Sequence, residues 1–202
     1  MPYDVVTMGE PLLRLTPQRY KLLDHYGTLE VEVGGSEANT AVGLAGLGVR
    51  VAYWTRLTNN PLGKMIARTL TDYGVDLSHV TWTERDRVGL YYYEDAAAPR
   101  QPRVIYDRAN SAASKARPSD IPEGLFGEGN ARMLHLTGIT PALSYAANGT
   151  ALHALKLAED ANWRISFDVN FRSRLWPASD AQNGVEPFLR SADLAFIPLR
   201  DA

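Results

Sequence analysis

Gly34-Gly35-Ser36-Glu37-Ala38-Asn39-Thr40-Ala41, running on to Leu47-Gly48, is the stretch on which the fold turns. Two glycines end the alternating apolar and polar run Thr28 to Val33 and lead directly into a helix-forming segment. Ser36 is suited to cap that helix, and Gly48 to close it after Leu47. A glycine pair at a helix N-terminus lets a ligand come close to the backbone, where free amide groups suit polar or anionic oxygens. The same residues also make an ordinary tight turn and helix cap. The helix is rich in small residues (Ala38, Ala41, Gly43, Ala45, Gly46), which predicts close packing on a neighbour. Gly43, Gly46 and Gly48 have the spacing of a loose phosphate-binding fingerprint. Amides inside a helix are already bonded, so these glycines are read as packing positions.

Working outward, Tyr3 to Met8 is an apolar strand that stops at Gly9-Glu10, and Leu12 to Leu15 is a half-exposed strand. Val49 to Thr55 reads as a strand, and Pro61 opens a helix ending near Gly74. Further on, Met133 to Thr137, Arg164 to Asp168 and Leu194 to Ile197 are strand-like, with helices expected over Ser144 to Asn162 and Glu186 to Arg190. Strands alternating with helices imply a mostly parallel sheet covered on both faces. The strand-like runs His79 to Thr83, Val88 to Tyr93 and Arg103 to Tyr106 do not fit that scheme, nor do the early alternating strands. Residues from about 11–33 and 88–108 are therefore expected to form a small β lid, inserted within one α/β domain that takes in residues 1–202.

The 202 residues are 45% hydrophobic and 22% charged, ordinary for a globular protein with a real core. A net charge of -2 gives no basic field for nucleic acid or an anionic membrane. No apolar run is long enough to span a bilayer, the N-terminus does not read as a signal peptide, and cysteine is absent. Those features lead to the expectation of a cytoplasmic protein without disulfides, thiolate chemistry or Cys-based metal sites. The four histidines lack metal-ligand spacing, and His135, inside an apolar strand, is read as a core residue.

Two further groups can carry chemistry. In Tyr91-Tyr92-Tyr93 the first and third side chains share a strand face, and Tyr106-Asp107-Arg108 follows on a neighbouring run. Tyrosines suit polyols and an arginine can hold a carboxylate with two parallel hydrogen bonds, although ordinary cross-strand packing uses the same residues. Asp168-Val169-Asn170-Phe171-Arg172 begins where a buried strand ends, the usual ligand position in open α/β sheets. Asp168, Asn170 and Arg172 point the same way if the extended conformation persists. A dinucleotide-binding reading fails, because the first strand leads to Gly9-Glu10-Pro11 and not to a glycine-rich turn.

These three features, in this order, resemble the ribokinase-type (PfkB) carbohydrate kinases over the whole chain. Gly34 to Ala41, with Leu47-Gly48, is similar to that family's N-terminal signature. Tyr106-Asp107-Arg108-Ala109-Asn110-Ser111-Ala112-Ala113-Ser114 and the Asp168 to Trp176 stretch resemble the 2-keto-3-deoxygluconate kinases within it. The resemblance implies a ribokinase-like sheet with helices on both faces and a β lid that covers the sugar and often forms a homodimer. It also implies ATP- and Mg2+-dependent phosphorylation of a primary hydroxyl on a small sugar acid. Carried over position by position, Gly34, Gly35 and Asn39 contact sugar hydroxyls. Tyr91, Tyr106 and Arg108 hold hydroxyls and the carboxylate from the lid, and Arg172 reaches the substrate from the core. Glu10, Asp168 and Asn170 are weaker substrate-side candidates.

The sequence departs from the family at its end. The Gly-Ala-Gly-Asp motif that supplies the family's anion hole and catalytic base does not occur here, so no catalytic residue is assigned. The family's Asn-x-x-Glu motif falls at Leu199 to Ala202, which reads Leu-Arg-Asp-Ala. The expectation is therefore a C-terminally truncated chain that holds a sugar site, is inactive alone and exposes an apolar sheet edge. A kinase of a neutral sugar such as fructose or ribose, or a non-catalytic sugar-binding or dimerisation module, stands as the alternative.

Overall fold

The computed structural model describes residues 2–201 except Tyr20 and Tyr26, and all of Arg200 but its side chain. In chain order the elements are β1 (Val5–Met8), β2 (Leu12–Pro17), β3 (Leu29–Gly34), α1 (Ser36–Gly46), β4 (Val51–Trp54), β5 (Arg56–Thr58), α2 (Pro61–Asp72), β6 (Thr81–Thr83), β7 (Gly89–Glu94), β8 (Arg103–Asp107), β9 (Met133–Thr137), α3 (Ile139–Ala142), α4 (Tyr145–Asp160), β10 (Arg164–Asp168), α5 (Ala178–Ser191) and β11 (Leu194–Phe196).

Five of these strands form a parallel sheet in the order β11-β10-β9-β1-β4. β1 and β4 at one end of the sheet are buried along their whole length, whereas β10 alternates Ile165 and Phe167 with Arg164, Ser166 and Asp168 and β11 is exposed. Val6, Met8, Ala52, Trp54, Leu134, Leu136, Ile165 and Phe167 face one core with Ala151, Ala154 and Leu155 of α4 and Val185 and Phe188 of α5. Val5, Val51 and Tyr53 face the other with Ala38 and Ala41 of α1 and Ile66 and Leu70 of α2. The period of two thus sorts the side chains of β1 and β4 between the two helical layers. At the β11 edge, Leu194, Phe196 and Ile197 are about half exposed.

A second sheet, β3-β2-β7-β8, is built from antiparallel pairs flanking the parallel pair β2–β7. The third is the two-stranded pair β5-β6, so the expected strand over His79 to Thr83 shortens to Thr81–Thr83. α5 is much longer than the sequence pattern suggests, running from Ala178 to Ser191 straight through Pro187. The buried stripe Ala181, Val185 and Phe188 holds the helix on the sheet despite the proline.

The cap of α1 differs from expectation. Gly35 is the N-cap, with φ 143° and ψ 140°, and Ser36 is the first helical residue. Ser36 makes no side-chain cap; its Oγ instead accepts a hydrogen bond from Asn170 Nδ2 at 2.8 Å. Gly43 and Gly46 are not packing positions either, since a Cβ at either site would meet nothing within 4 Å. The helix makes its close approach through Ala38 and Ala41. At α2 the cap is side-chain built: Asn60 Oδ1 accepts from the amides of Leu62 and Gly63, each at 3.0 Å, ahead of Pro61.

Candidate functional site

The second sheet stands over the C-terminal ends of β1, β9 and β10, and a cavity of about 360 Å³ lies between it and the start of α1. Gly35, Ser36 and Asn39 contribute from α1, and Glu10 from the turn after β1. Tyr91, Tyr93, Val104, Tyr106 and Arg14 line it from the lid, Arg108 from just beyond β8, and Arg172 from the segment after β10. Register explains the lid's contribution. Arg14 is paired with Glu32 and Tyr91, and Tyr91 with Tyr106, so these side chains share one face. The Tyr91 and Tyr106 rings lie 5.8 Å apart, and the Arg14 guanidinium sits 4.3 Å over the Tyr93 ring.

Gly34 does not line the cavity; it makes room for a residue that does. A Cβ at Gly34 would come within 2.6 Å of the Tyr91 hydroxyl. At Gly35 a Cβ would fall 2.7 Å from the Glu10 carbonyl oxygen, and its φ lies in the region that favours glycine. The glycine pair therefore serves approach of the protein to itself: β3 to the lid tyrosine, and α1 to the end of β1.

Arg108 is already engaged. Its Nε donates to Glu10 Oε2 at 2.7 Å and its Nη2 donates to the same oxygen. Glu10 is buried, and its Oε1 has no hydrogen-bond partner among the described residues. Arg14 forms a 3.5 Å ion pair with Glu32. Of the three arginines lining the cavity, Arg172 alone has no ion-pair partner among the described residues. It also lines an adjoining cavity of about 910 Å³, which shares Val104, Tyr106 and Arg108 with the first and is bordered by Arg103 and Arg174.

Asp168, Asn170 and Arg172 do not form the single row an extended segment would give. Asn170 has φ 42°, which turns the chain. Its side chain spans Ser36 Oγ and Asp168 Oδ2, leaving Arg172 as the residue of the three that borders the cavity. Burial raises the Asp168 carboxyl above its ordinary value, against the Asn170 hydrogen bonds and the Arg172 charge. Phe171 N donates to Asp201 Oδ2 at 3.1 Å, which ties this segment to the residues after β11.

Sequence reasoning missed Glu37, Thr137, Thr140, Arg14 and Tyr93. Tyr93 was readable from its period of two with Tyr91; Arg14 needed the strand register. Glu37 is fully buried and accepts hydrogen bonds on Oε1 from Thr137 Oγ1 at 2.8 Å and Thr140 Oγ1 at 2.6 Å. Burial pushes its carboxyl above the ordinary value, opposed by the two threonine hydroxyls. An acid beside Ala38 and Ala41 on the buried face of a small-residue helix was the signal available in the sequence. His135 is buried with Nδ1 3.0 Å from Ser166 Oγ, in keeping with a core histidine.

Among the described residues no group of three or more His, Cys, Asp or Glu side chains could hold a metal ion, and no helix is long and apolar enough to cross a membrane. The donor set around the cavity does not fit Mg2+: among the described residues its one carboxylate, Glu10, is committed to Arg108.

A family model described as pfkB family carbohydrate kinase matches residues 4–202. The chain is 35% identical over 201 residues to a 2-dehydro-3-deoxygalactonokinase of Haloferax volcanii, covering all of this chain and 62% of that protein. It is 34% identical over 177 residues to a 2-dehydro-3-deoxygluconokinase of Bacillus subtilis, covering 88% of this chain and 54% of that protein. Its fold superposes on the crystal structure of 2-dehydro-3-deoxygluconokinase from Thermotoga maritima with a TM-score of 0.90 at 37% identity, over 96% of this chain and 59% of that one. The chain thus spans somewhat more than half the length of these relatives.

Proposed function

The chain belongs to the pfkB family of carbohydrate kinases, and from that premise we propose that it carries the sugar-acid site of an ATP-dependent kinase. The substrate class is a 2-keto-3-deoxy sugar acid, gluconate or galactonate type, which accepts phosphate on its primary hydroxyl. The observation that carries the reading is Arg172, without an ion-pair partner among the described residues, beside a cavity lined also by tyrosines, an asparagine and the arginines that Glu10 and Glu32 neutralise. A sugar acid brings one negative charge, and Arg172 is the cation able to meet it. Tyr91, Tyr106 and Asn39 supply hydroxyl and amide partners for the polyol chain, with the tyrosine rings against its carbon backbone. A neutral sugar would leave Arg172 facing the cavity without a counter-charge.

ATP and Mg2+ belong to the proposed activity of the family, and no step is assigned to them on these residues. The 202-residue chain taken alone is proposed to bind sugar without turnover. A general base contributes orders of magnitude in rate, and among the described residues the one carboxylate lining this cavity, Glu10, is held by Arg108. The proposal includes a cytoplasmic protein that pairs with a second copy through its lid.

Calorimetric titration with 2-keto-3-deoxygluconate, its galactonate epimer and fructose, followed by an ATP-consumption assay on the same sample, tests the reading. Binding of both acids with little response to fructose and no ATP consumption is expected. A preference for fructose would overturn the substrate class; steady ATP consumption would overturn the assignment of a binding role to the isolated chain.

A further inference from the structure

Glu37 lies beneath the sugar cavity without lining it, and nothing in the proposed reaction uses its carboxyl. The residues around it on α1 do line the cavity: Gly35 and Ser36 before it, Asn39 after it. Its side chain turns away from them toward the corner between β9 and α3, where Thr137 and Thr140 both donate to Oε1. The connection continues, because the amide of Ile139 donates to Thr137 Oγ1 at 3.2 Å and Ile139 forms part of the cavity wall. On the third side, Gly9 leaves the space that the carboxyl fills; a Cβ there would overlap Glu37 Cδ and Oε2.

We propose that Glu37 is a positioning residue that fastens the first turn of α1 to the β9–α3 corner and thereby holds two walls of the sugar cavity in register. The proposal rests on the sugar-cavity reading above. Three strand ends meet at this turn. β1 reaches it through Gly9, whose missing side chain admits the Glu37 carboxyl. β9 reaches it through Thr137, and β10 through Asn170, which donates to Ser36 Oγ at 2.8 Å. A displacement of the turn moves Asn39 and Gly35 together relative to Ile139.

The charged and titratable groups near Glu37 are Glu10, Arg108 and the Tyr53 hydroxyl. Arg108 is matched by Glu10, so no cation remains to balance a second buried carboxylate. Burial favours the uncharged acid, against the threonine hydrogen bonds and the Arg108 field. A glutamine, which also offers one acceptor oxygen and a donor in the same shape, is therefore a close replacement. An alanine leaves the Thr137 and Thr140 hydroxyls buried without their acceptor.

Amide hydrogen exchange and 2-keto-3-deoxygluconate titration on the wild-type chain, Glu37→Gln and Glu37→Ala test the proposal. In Glu37→Ala the Asn39 and Ile139 amides are expected to exchange about tenfold faster or more, while β4 and β2 amides keep their wild-type rates. The dissociation constant is expected to rise by about tenfold, and Glu37→Gln to restore both readouts to within about threefold. Wild-type exchange and affinity in Glu37→Ala would overturn the proposal. So would a uniform loss of protection, which marks an ordinary core residue, or a Gln variant as damaged as the Ala variant. If the wild-type chain binds no sugar acid, the functional reading fails, and the exchange pattern alone decides the role of Glu37.

Discussion

Arg108 presents both Nε and Nη2 to a single oxygen of Glu10, leaving the other carboxylate oxygen, Oε1, buried and without a partner among the described residues. The two residues are 98 positions apart, and their side chains are 11% and 1% exposed. The pair joins the end of the lid strand β8 to the end of β1 across the floor of the cavity. Removing one member strands a charge in a nearly dry site, which costs more than the pair contributes. Glu10→Ala or Arg108→Met is expected to lower the unfolding free energy by about 3 kcal/mol. The double variant is expected to lose less than the sum of the singles by at least about 1 kcal/mol. Urea unfolding of the four proteins provides the cycle, and strict additivity would show that the pair does not couple lid to sheet.

Arg172 carries a different prediction because it makes no ion pair among the described residues. Arg172→Gln removes the charge and shortens the side chain, keeping two N–H donors of the original five. A hydrogen bond to a charged group contributes about 1.5–3 kcal/mol, so the affinity for a sugar acid is expected to fall by about ten- to a hundredfold. Calorimetry with the sugar acid and with its neutral alcohol analogue separates charge from shape. The neutral analogue is expected to bind both proteins within about threefold. An equal loss for both ligands would assign Arg172 to the shape of the cavity and not to carboxylate recognition.

The layered fold was legible because β1, β4, β9 and β10 are short, largely apolar runs separated by helical segments, one of them opened by Pro61. The strands of the second sheet were legible through the period of two in Leu12 to Leu15 and Val88 to Tyr93. α5 was read only over Glu186 to Arg190 because Ser179, Asp180, Asn183 and Gly184 are weak helix formers, whereas the burial of Ala181 and Val185 that holds this part is set by residues remote in sequence. The site divides the same way. Gly35, Tyr91, Tyr106, Arg108 and Arg172 stood out by residue type and position, Asn39 through the family resemblance alone, and all six border one cavity. What sequence could not give was pairing: that Arg108 spends its charge on Glu10, that Asn170 turns aside to Ser36, or that Glu37 answers Thr137 and Thr140 a hundred residues away.

His135 makes stability depend on acid. Burial lowers its pKa from 6.5 to about 4. Between those two values the unfolded chain binds a proton that the folded one refuses, so stability falls as pH drops from 6.5 toward 4. The total is on the order of 3 kcal/mol for a shift of this size. Glu37 acts in the opposite sense: its raised carboxyl costs stability as pH rises through and above its ordinary value of 4.5. His135→Gln is expected to flatten the decline between pH 6.5 and 4, read from urea midpoints across that range. An unchanged slope would place the acid sensitivity elsewhere.

The two glycines of the signature are expected to differ in what they tolerate. Gly35→Ala meets a backbone oxygen, Glu10 O, and must hold a φ of 143°, so neither obstacle can move aside. Gly34→Ala meets the far end of the Tyr91 side chain, which can shift at the expense of the cavity. Gly35→Ala is expected to destabilise by at least about 2 kcal/mol. Gly34→Ala is expected to cost about 1 kcal/mol in stability and more in sugar affinity. Thermal unfolding with parallel titrations decides the point; equal stability losses would mean that β3 yields before Tyr91 does.

The proposed pairing with a second copy makes a prediction for the outer face of the second sheet. Strand register sets Val31 beside Leu15, Leu15 beside Tyr92 and Tyr92 beside Ile105, an apolar row crossing all four strands on the side away from the cavity. Val31 is 46% and Ile105 39% exposed, at the two edges of the row. A flat apolar row on an open sheet is costly to leave in water, and a two-fold partner would bury it against its own copy. Sedimentation velocity of the 202-residue chain at micromolar concentration is expected to show a dimer, and Val31→Lys with Ile105→Lys a monomer of unchanged fold. Because the row faces away from Tyr91 and Tyr106, the monomeric variant is expected to keep its sugar affinity within about threefold. A wild-type monomer would remove the lid from the association surface, and a dimer that survives both lysines would move the contact to another face.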